Sequence, residues 1–164
     1  MGNVNFKKIM IATDGSTCSG LATEKGIKFA RLSGGTVYAV YVVSSASLFS
    51  MNQGYFYSMG TNPDFAPIYK EMHEVMEKQG HQALNYVKSL GEMKGVNVKS
   101  VLLDGNPSDE LIRYAEEEKM NIVIMGTLGK TGLDRFLLGS VAGNLVRHSK
   151  VPVMVVREKC ELLS

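Results

Sequence analysis

The chain has 164 residues and a formal net charge of +2 at pH 7, from 18 Lys and Arg against 16 Asp and Glu. A single domain of this length buries roughly 70% of its unfolded surface, enough for one self-sufficient core over residues 1–164. The charges are mixed, with no basic stripe for nucleic acid or anionic lipid and no apolar run near the ~18 residues of a membrane span, so neither partner is expected.

The start, Met1 to Lys8, carries charges and no signal-peptide core, which makes a cytoplasmic location the expectation. Cys18 and Cys160 are too few for a disulfide framework and lack metal-ligand spacing, so both are expected as reduced thiols.

In chain order, the apolar block Ile9-Met10-Ile11-Ala12 ending at Asp14-Gly15-Ser16 predicts a buried strand and a turn. Cys18, Leu21, Ala22, Phe29 and Ala30 mark a helix over Thr17 to Leu32, stopped by Gly34-Gly35. The β-branched and aromatic run Val37 to Val43 predicts the second strand.

Ser44 to Pro67 then breaks the rhythm with seven Phe, Tyr and Met residues among Ser, Asn, Gly and Pro. Such a long insert either folds onto its own domain or serves as a nucleotide lid or subunit contact. Ile68 to Lys94 carries the longest helical pattern, with Gly80 as a candidate bend. Val96 to Leu103 predicts a third strand, and Asn106-Pro107-Ser108-Asp109 a helix start with an N-cap, Pro at the first position and an acid in the first turn, running to about Lys119.

Ile122-Val123-Ile124-Met125 lacks polar alternation, as a parallel strand covered on both faces should. Ser140 to His148 predicts a last helix and Val153 to Val156 a fifth strand. Alternating units of this kind imply an α/β doubly wound parallel sheet with right-handed crossovers. Ligands bind such sheets beyond the carboxyl ends of the strands.

The motif that speaks to chemistry is Gly126-x2-Gly129-x9-Gly139-Ser140, which joins an apolar strand to a helix start through glycines. Glycines let backbone N–H groups approach an anion, and a helix start adds unpaired N–H donors and the positive end of its dipole. If the first and fourth strands are neighbours, three segments converge with Ala12-Thr13-Asp14 and Val42-Val43 at the strand ends: the strand ends for base and ribose, the glycine loop and Ser140 for phosphates. Asp14 either meets a sugar hydroxyl or a phosphate-bound Mg²⁺, or caps the first helix.

Several lookalikes fail on position. Gly129-Lys130-Thr131 ends like a Walker A loop, but the first glycine of that motif would fall at Ile124, inside the strand. Ser33-Gly34-Gly35-Thr36 precedes a strand instead of following one. Asp104 lacks the acidic partner near Asp14 that a receiver-domain phosphoacceptor needs, and reads as part of an Asp-Gly-Asn-Pro turn. His73, Glu77 and His81 share a helix face, but the two histidines are about 12 Å apart along the axis and cannot ligate one ion. No nucleophile-base pair or acid-base carboxylate pair is evident.

The segments Lys7 to Ser16, Val40 to Val43, Gly105-Asn106-Pro107 and IVIMGTLGKTGLDRFLLGSVAGNLVRHSKVPVMVV, Ile122 to Val156, resemble the universal stress protein family in its nucleotide-binding branch. That resemblance implies a five-stranded parallel sheet of strand order 3-2-1-4-5 with helices on both faces, of the adenine nucleotide alpha hydrolase type. It further implies an ATP site, or one for ADP or AMP, with Mg or Mn, at Ala12, Thr13, Asp14, Val42, Met125, Gly126, Thr127, Gly129, Lys130, Gly132, Gly139, Ser140 and Val141. By the same resemblance Val42 and Met125 pack on adenine, Gly129 and Ser140 face phosphates, and a homodimer forms through Val151 to Val156.

Tyr41, Asn121, Leu128 and Gly143 depart from residues common in the family, and none is a backbone-approach glycine of the cradle. With no general base in view, the reading is a regulatory nucleotide-binding protein of the stress response. The alternatives are a slow metal-dependent ATP hydrolase or phosphotransferase, and a partner-docking dimer without nucleotide.

Overall fold

The computed structural model describes residues 6–44, 66–127 and 138–157. Five strands form one parallel sheet: β1 (Lys8–Ala12), β2 (Thr36–Val43), β3 (Val98–Asp104), β4 (Ile122–Gly126) and β5 (Val153–Val156). Their order is β3-β2-β1-β4-β5, as expected. The helices between them are α1 (Thr17–Ser33), α2 (Ala66–Met93), α3 (Pro107–Glu117) and α4 (Ser140–His148).

Strand periodicity divides the core in two. Ile9 and Ile11 of β1, Ala39 and Tyr41 of β2, and Ile122 and Ile124 of β4 face α1 and α2, where they meet Ile27, Ala30, Leu84 and Val87. Met10, Ala12, Val40, Val123 and Met125 point the other way, onto Leu111 and Ala115 of α3 and Ala142 and Leu145 of α4. Because every central strand is covered on both faces, its two side-chain sets are both apolar.

Local chemistry fixes the ends. Ser16 caps α1 by accepting from Ser19 N at 3.2 Å, and Gly34 ends it in the left-handed conformation at φ 66°. Asn106 accepts from the N–H groups of Ser108 and Asp109 at 3.0 and 3.3 Å, with Pro107 as the first residue of α3. Asn121 locks β4 to β1 with a reciprocal pair, Lys8 N to Asn121 Oδ1 and Asn121 N to Lys8 O, each 2.8 Å.

The structure differs from the sequence expectation in three places. α2 begins at Ala66, two residues before Ile68, since Pro67 is well suited to a first turn where its missing N–H costs no bond. The rest of the insert lies outside the described residues. α2 runs unbroken through Gly80, whose absent side chain serves packing: a Cβ there would lie 2.8 Å from the Tyr41 ring and 2.7 Å from Leu102. β3 spans Val98–Asp104, shifted from Val96–Leu103 because Gly95 at φ 69° is still completing the turn after α2.

Candidate functional site

β1, β2 and β4 are neighbours, so their carboxyl ends meet at one edge of the sheet. Ala12 ends β1 at 7% exposure, Val42 is the penultimate residue of β2, and Met125 and Gly126 end β4. Ala12 and Met125 are buried members of the α3/α4-side cluster, and Val42 and Val141 are half-buried against it. Four apolar side chains from three strands and α4 are thus grouped on one face.

A backbone closure ties the start of α4 to this group. Gly139 N donates to Thr127 O at 2.8 Å, which joins the end of β4 to the start of α4 and sets Ser140 and Val141 beside Gly126 and Thr127. Gly139 is the N-cap and offers no side-chain acceptor, so the first N–H groups of α4 have no side-chain cap among the described residues. Ser140 is exposed and Thr127 is buried. Gly129, Lys130 and Gly132 lie outside the described residues.

Gly126 has a structural reason as well. A Cβ on it would stand 3.0 Å from Cys18 O and 3.2 Å from Cys18 C, so its lack of a side chain allows the first turn of α1 to lie against the end of β4. Cys18 itself is disulfide-bonded, where a reduced thiol was expected. Cys160 lies outside the described residues.

The β1–α1 turn is built from short polar side chains. Thr13 N donates to Val40 O at 3.0 Å, which continues the β1–β2 ladder, and Thr13 Oγ1 accepts from Gly15 N at 3.2 Å and bonds Ser19 Oγ at 3.1 Å. Asp14 Oδ1 accepts from Ser16 N at 3.0 Å. The two readings of Asp14 therefore separate: the cap of α1 is Ser16, and Asp14 closes the turn that precedes it. Its second carboxylate oxygen has no partner among the described residues, and no cluster of three metal-ligating side chains occurs among them.

A cleft of about 780 Å³ opens between α1 and α2, among Asp14, Ser16 and Glu24 and the α2 residues Gln79, Gln82 and Tyr86. It shares Thr13 and Asp14 with the strand-end group. Its described lining contains two carboxylates, Asp14 and Glu24, where the strand-end group has Asp14 alone, which makes it the poorer seat for phosphates. Chemistry, not volume, distinguishes the two places.

Sequence reasoning missed one contact at this edge. His73 of α2 bonds Asp104 at the end of β3, Nε2 to Oδ2 at 2.5 Å, and its Nδ1 lies 3.8 Å from Glu77 Oε1. The hydrogen bond to Asp104, then the charges of Asp104, Glu77 and Glu74, raise the imidazole above its ordinary value against a smaller opposing desolvation. The i, i+4 spacing of His73 and Glu77 was legible; that Asp104 would come within reach depended on how α2 crosses β3.

Residues 5–157 match the sequence model of the universal stress protein family. Universal stress protein MJ0531 of Methanocaldococcus jannaschii is 35% identical over 153 residues, 93% of this chain and 83% of the relative. Universal stress protein MJ0577 of the same organism is 30% identical over 162 residues, covering 96% of this chain and 98% of the relative.

Among solved structures, hypothetical protein MJ0577 superposes with a TM-score of 0.77 at 28% identity, over 94% of this chain and 98% of that one. A universal stress protein in complex with cAMP gives 0.62 at 23% identity over 93% and 98% of the two chains, a likeness of fold. The Archaeoglobus fulgidus universal stress protein in complex with dAMP gives 0.60 at 20% identity over 93% and 99%, again of fold. By its sequence, its strand order and its relatives, this chain belongs to the universal stress protein family.

Proposed function

We propose that this chain binds an adenine nucleotide, ATP, ADP or AMP, at the carboxyl edge of β1, β2 and β4, and acts as a regulatory protein of the stress response without efficient turnover. The observation that carries this reading is the grouping of Ala12, Val42, Met125 and Val141 beside the start of α4, which has a glycine N-cap and no side-chain cap among the described residues. An apolar floor suits a purine ring, and unpaired N–H groups at a helix start suit an anion. Two relatives of the same fold are described in complexes with cAMP and dAMP, which supports the same ligand class here.

In this reading Val42 and Met125 contact adenine, Thr13, Asp14 and Gly126 border the ribose, and Thr127, Gly139 and Ser140 face phosphates. Gly129, Lys130 and Gly132 complete the phosphate side by family resemblance. The described residues fit a divalent ion only as a passenger on phosphates, with the second oxygen of Asp14 as one oxygen ligand. Mg²⁺ or Mn²⁺ would neutralise phosphate charge there. The homodimer belongs to the proposal too: β5 is a sheet edge that pairs only with β4 among the described strands, and it exposes Met154. A two-fold axis beside Val151 to Val156 would cover that edge.

Calorimetry with ATP, ADP and AMP tests the site. A micromolar Kd, about −8 kcal/mol, is expected for the preferred nucleotide. Ser140→Asp separates binding from folding, because a carboxylate in the first turn favours the helix while repelling phosphate. Its affinity should fall at least tenfold with no loss of thermal stability, and unchanged affinity would reject the phosphate placement.

A further inference from the structure

Cys18 is disulfide-bonded, and the chain holds one other cysteine, Cys160. Cys18 stands in the first turn of α1, two residues after the Ser16 cap, and is half-buried. Neither core cluster includes it, so the bond can open with both cores in place.

Strand register decides whether Cys160 is within reach. β5 ends at Val156, which pairs with Gly126 at the end of β4, and neighbouring strands lie about 4.8 Å apart. A Cβ on Gly126 would lie 3.5 Å from Cys18 Cβ, which puts that atom within about 5 Å of the Gly126 Cα. Val156 and Cys18 are thus separated by at most about 10 Å, whereas the four residues from Val156 to Cys160 span up to about 13 Å when extended.

The side of the sheet agrees with the distance. Val156 packs against the α1/α2-side cluster, and α1 makes direct contact with β5. The chain therefore leaves β5 at the sheet edge, and beside the helix, where Cys18 is found.

From this we propose that Cys18 and Cys160 form a reversible redox clasp, closed by a hydroperoxide and opened by a dithiol, that ties the C-terminal tail to the start of α1. On closing, the thiolate of one cysteine attacks the peroxide; an S–O bond forms, the O–O bond breaks, and an alcohol or water leaves after taking up a proton. The second thiolate then attacks the sulfenic sulfur; the S–S bond forms and water departs. The two sulfurs have given two electrons to the peroxide. On opening, a dithiol attacks one sulfur and its second thiol resolves the mixed disulfide, so both cysteines leave as thiols and the dithiol is oxidised to a disulfide.

Two features make this a switch more than a staple. A half-buried sulfur outside the cores is open to exchange, and its partner belongs to the last five residues of the chain, so no packed element has to part when the bond breaks. The clasp does not rest on the nucleotide reading.

Peptide mapping of the native full-length protein tests it. After hydrogen peroxide treatment, trypsin without reductant should release Ile9–Lys25 joined to Cys160–Ser164, and brief dithiothreitol treatment of the folded protein should separate them. The oxidised parent should melt roughly 5–15 °C above its reduced form, because the bond closes a long loop. Cys160→Ser, a conservative change in the tail, should melt as one transition with no difference between the two treatments.

Failure to recover the joined peptide after peroxide would overturn the proposal, as would a redox-dependent melting shift retained in Cys160→Ser. A covalent dimer on a non-reducing gel would assign Cys18 to a bond between two chains instead. A bond that dithiothreitol breaks only after unfolding would make it a fixed staple, and the switch would fall.

Discussion

The two faces of the sheet are packed by different means. On the α1/α2 face, helices approach the strands so closely that glycines are required: a Cβ on Gly26 would lie 2.5 Å from Ile11 Cδ1, and one on Gly91 would lie 2.2 Å from Val98 Cγ2. On the α3/α4 face the helices are shorter, and a Cβ on Gly143 would meet the exposed guanidinium of Arg147 at 3.3 Å. The α3/α4 face leaves Val42 and Val141 half-buried at the carboxyl edge, where a ligand can use them.

This difference predicts opposite signs for one substitution. Gly26→Ala should destabilise by about 1–3 kcal/mol, because the added methyl must displace the fully buried Ile11. Urea unfolding measures it, and a neutral result would show that the α1/α2 face has slack. Gly143→Ala should instead stabilise by about 0.5–1 kcal/mol, since Arg147 can swing away and alanine is the better helix residue. A loss of stability there would place the two faces on an equal footing.

The smallest effect belongs to His73, which ties α2 to β3 by charge and hydrogen bonding at a half-exposed site. Its pKa is raised on folding by the Asp104 hydrogen bond, so the folded state binds the proton more tightly than the unfolded one. The contribution is fully present below the ordinary histidine value near 6.5 and is lost as pH rises through the raised value. Relative to His73→Ala, the parent protein should lose part of its stability advantage between acidic and alkaline pH. Parallel stability curves for the two proteins would remove this latch from the account.

Helices were legible from their period and strands from short apolar or β-branched runs, and the order 3-2-1-4-5 followed from the family resemblance. The cap at Asn106 was legible because its capping side chain is local, whereas at α1 the cap fell on Ser16 and not on Asp14. What escaped sequence reading depends on distance across the fold. Gly80 reads as a bend in one dimension and as a contact with Tyr41 and Leu102 in three. Asp104 reads as a turn residue until α2 crosses β3 and delivers His73. Asp14 had two local roles open to it, and the hydroxyl of Ser16 took one of them. The glycine motif announced an anion site, yet the joining of its two halves rests on the Gly139 to Thr127 bond, which no spacing rule supplies.

The most direct test of the division between faces is amide hydrogen exchange with and without ATP and Mg²⁺. The account predicts added protection at residues 12–14, 42–43, 125–127 and 139–141, with none along Gln79 to Tyr86. Protection confined to Gln79, Gln82 and Tyr86, with the strand ends and the start of α4 unchanged, would place the nucleotide in the α1–α2 cleft and contradict it.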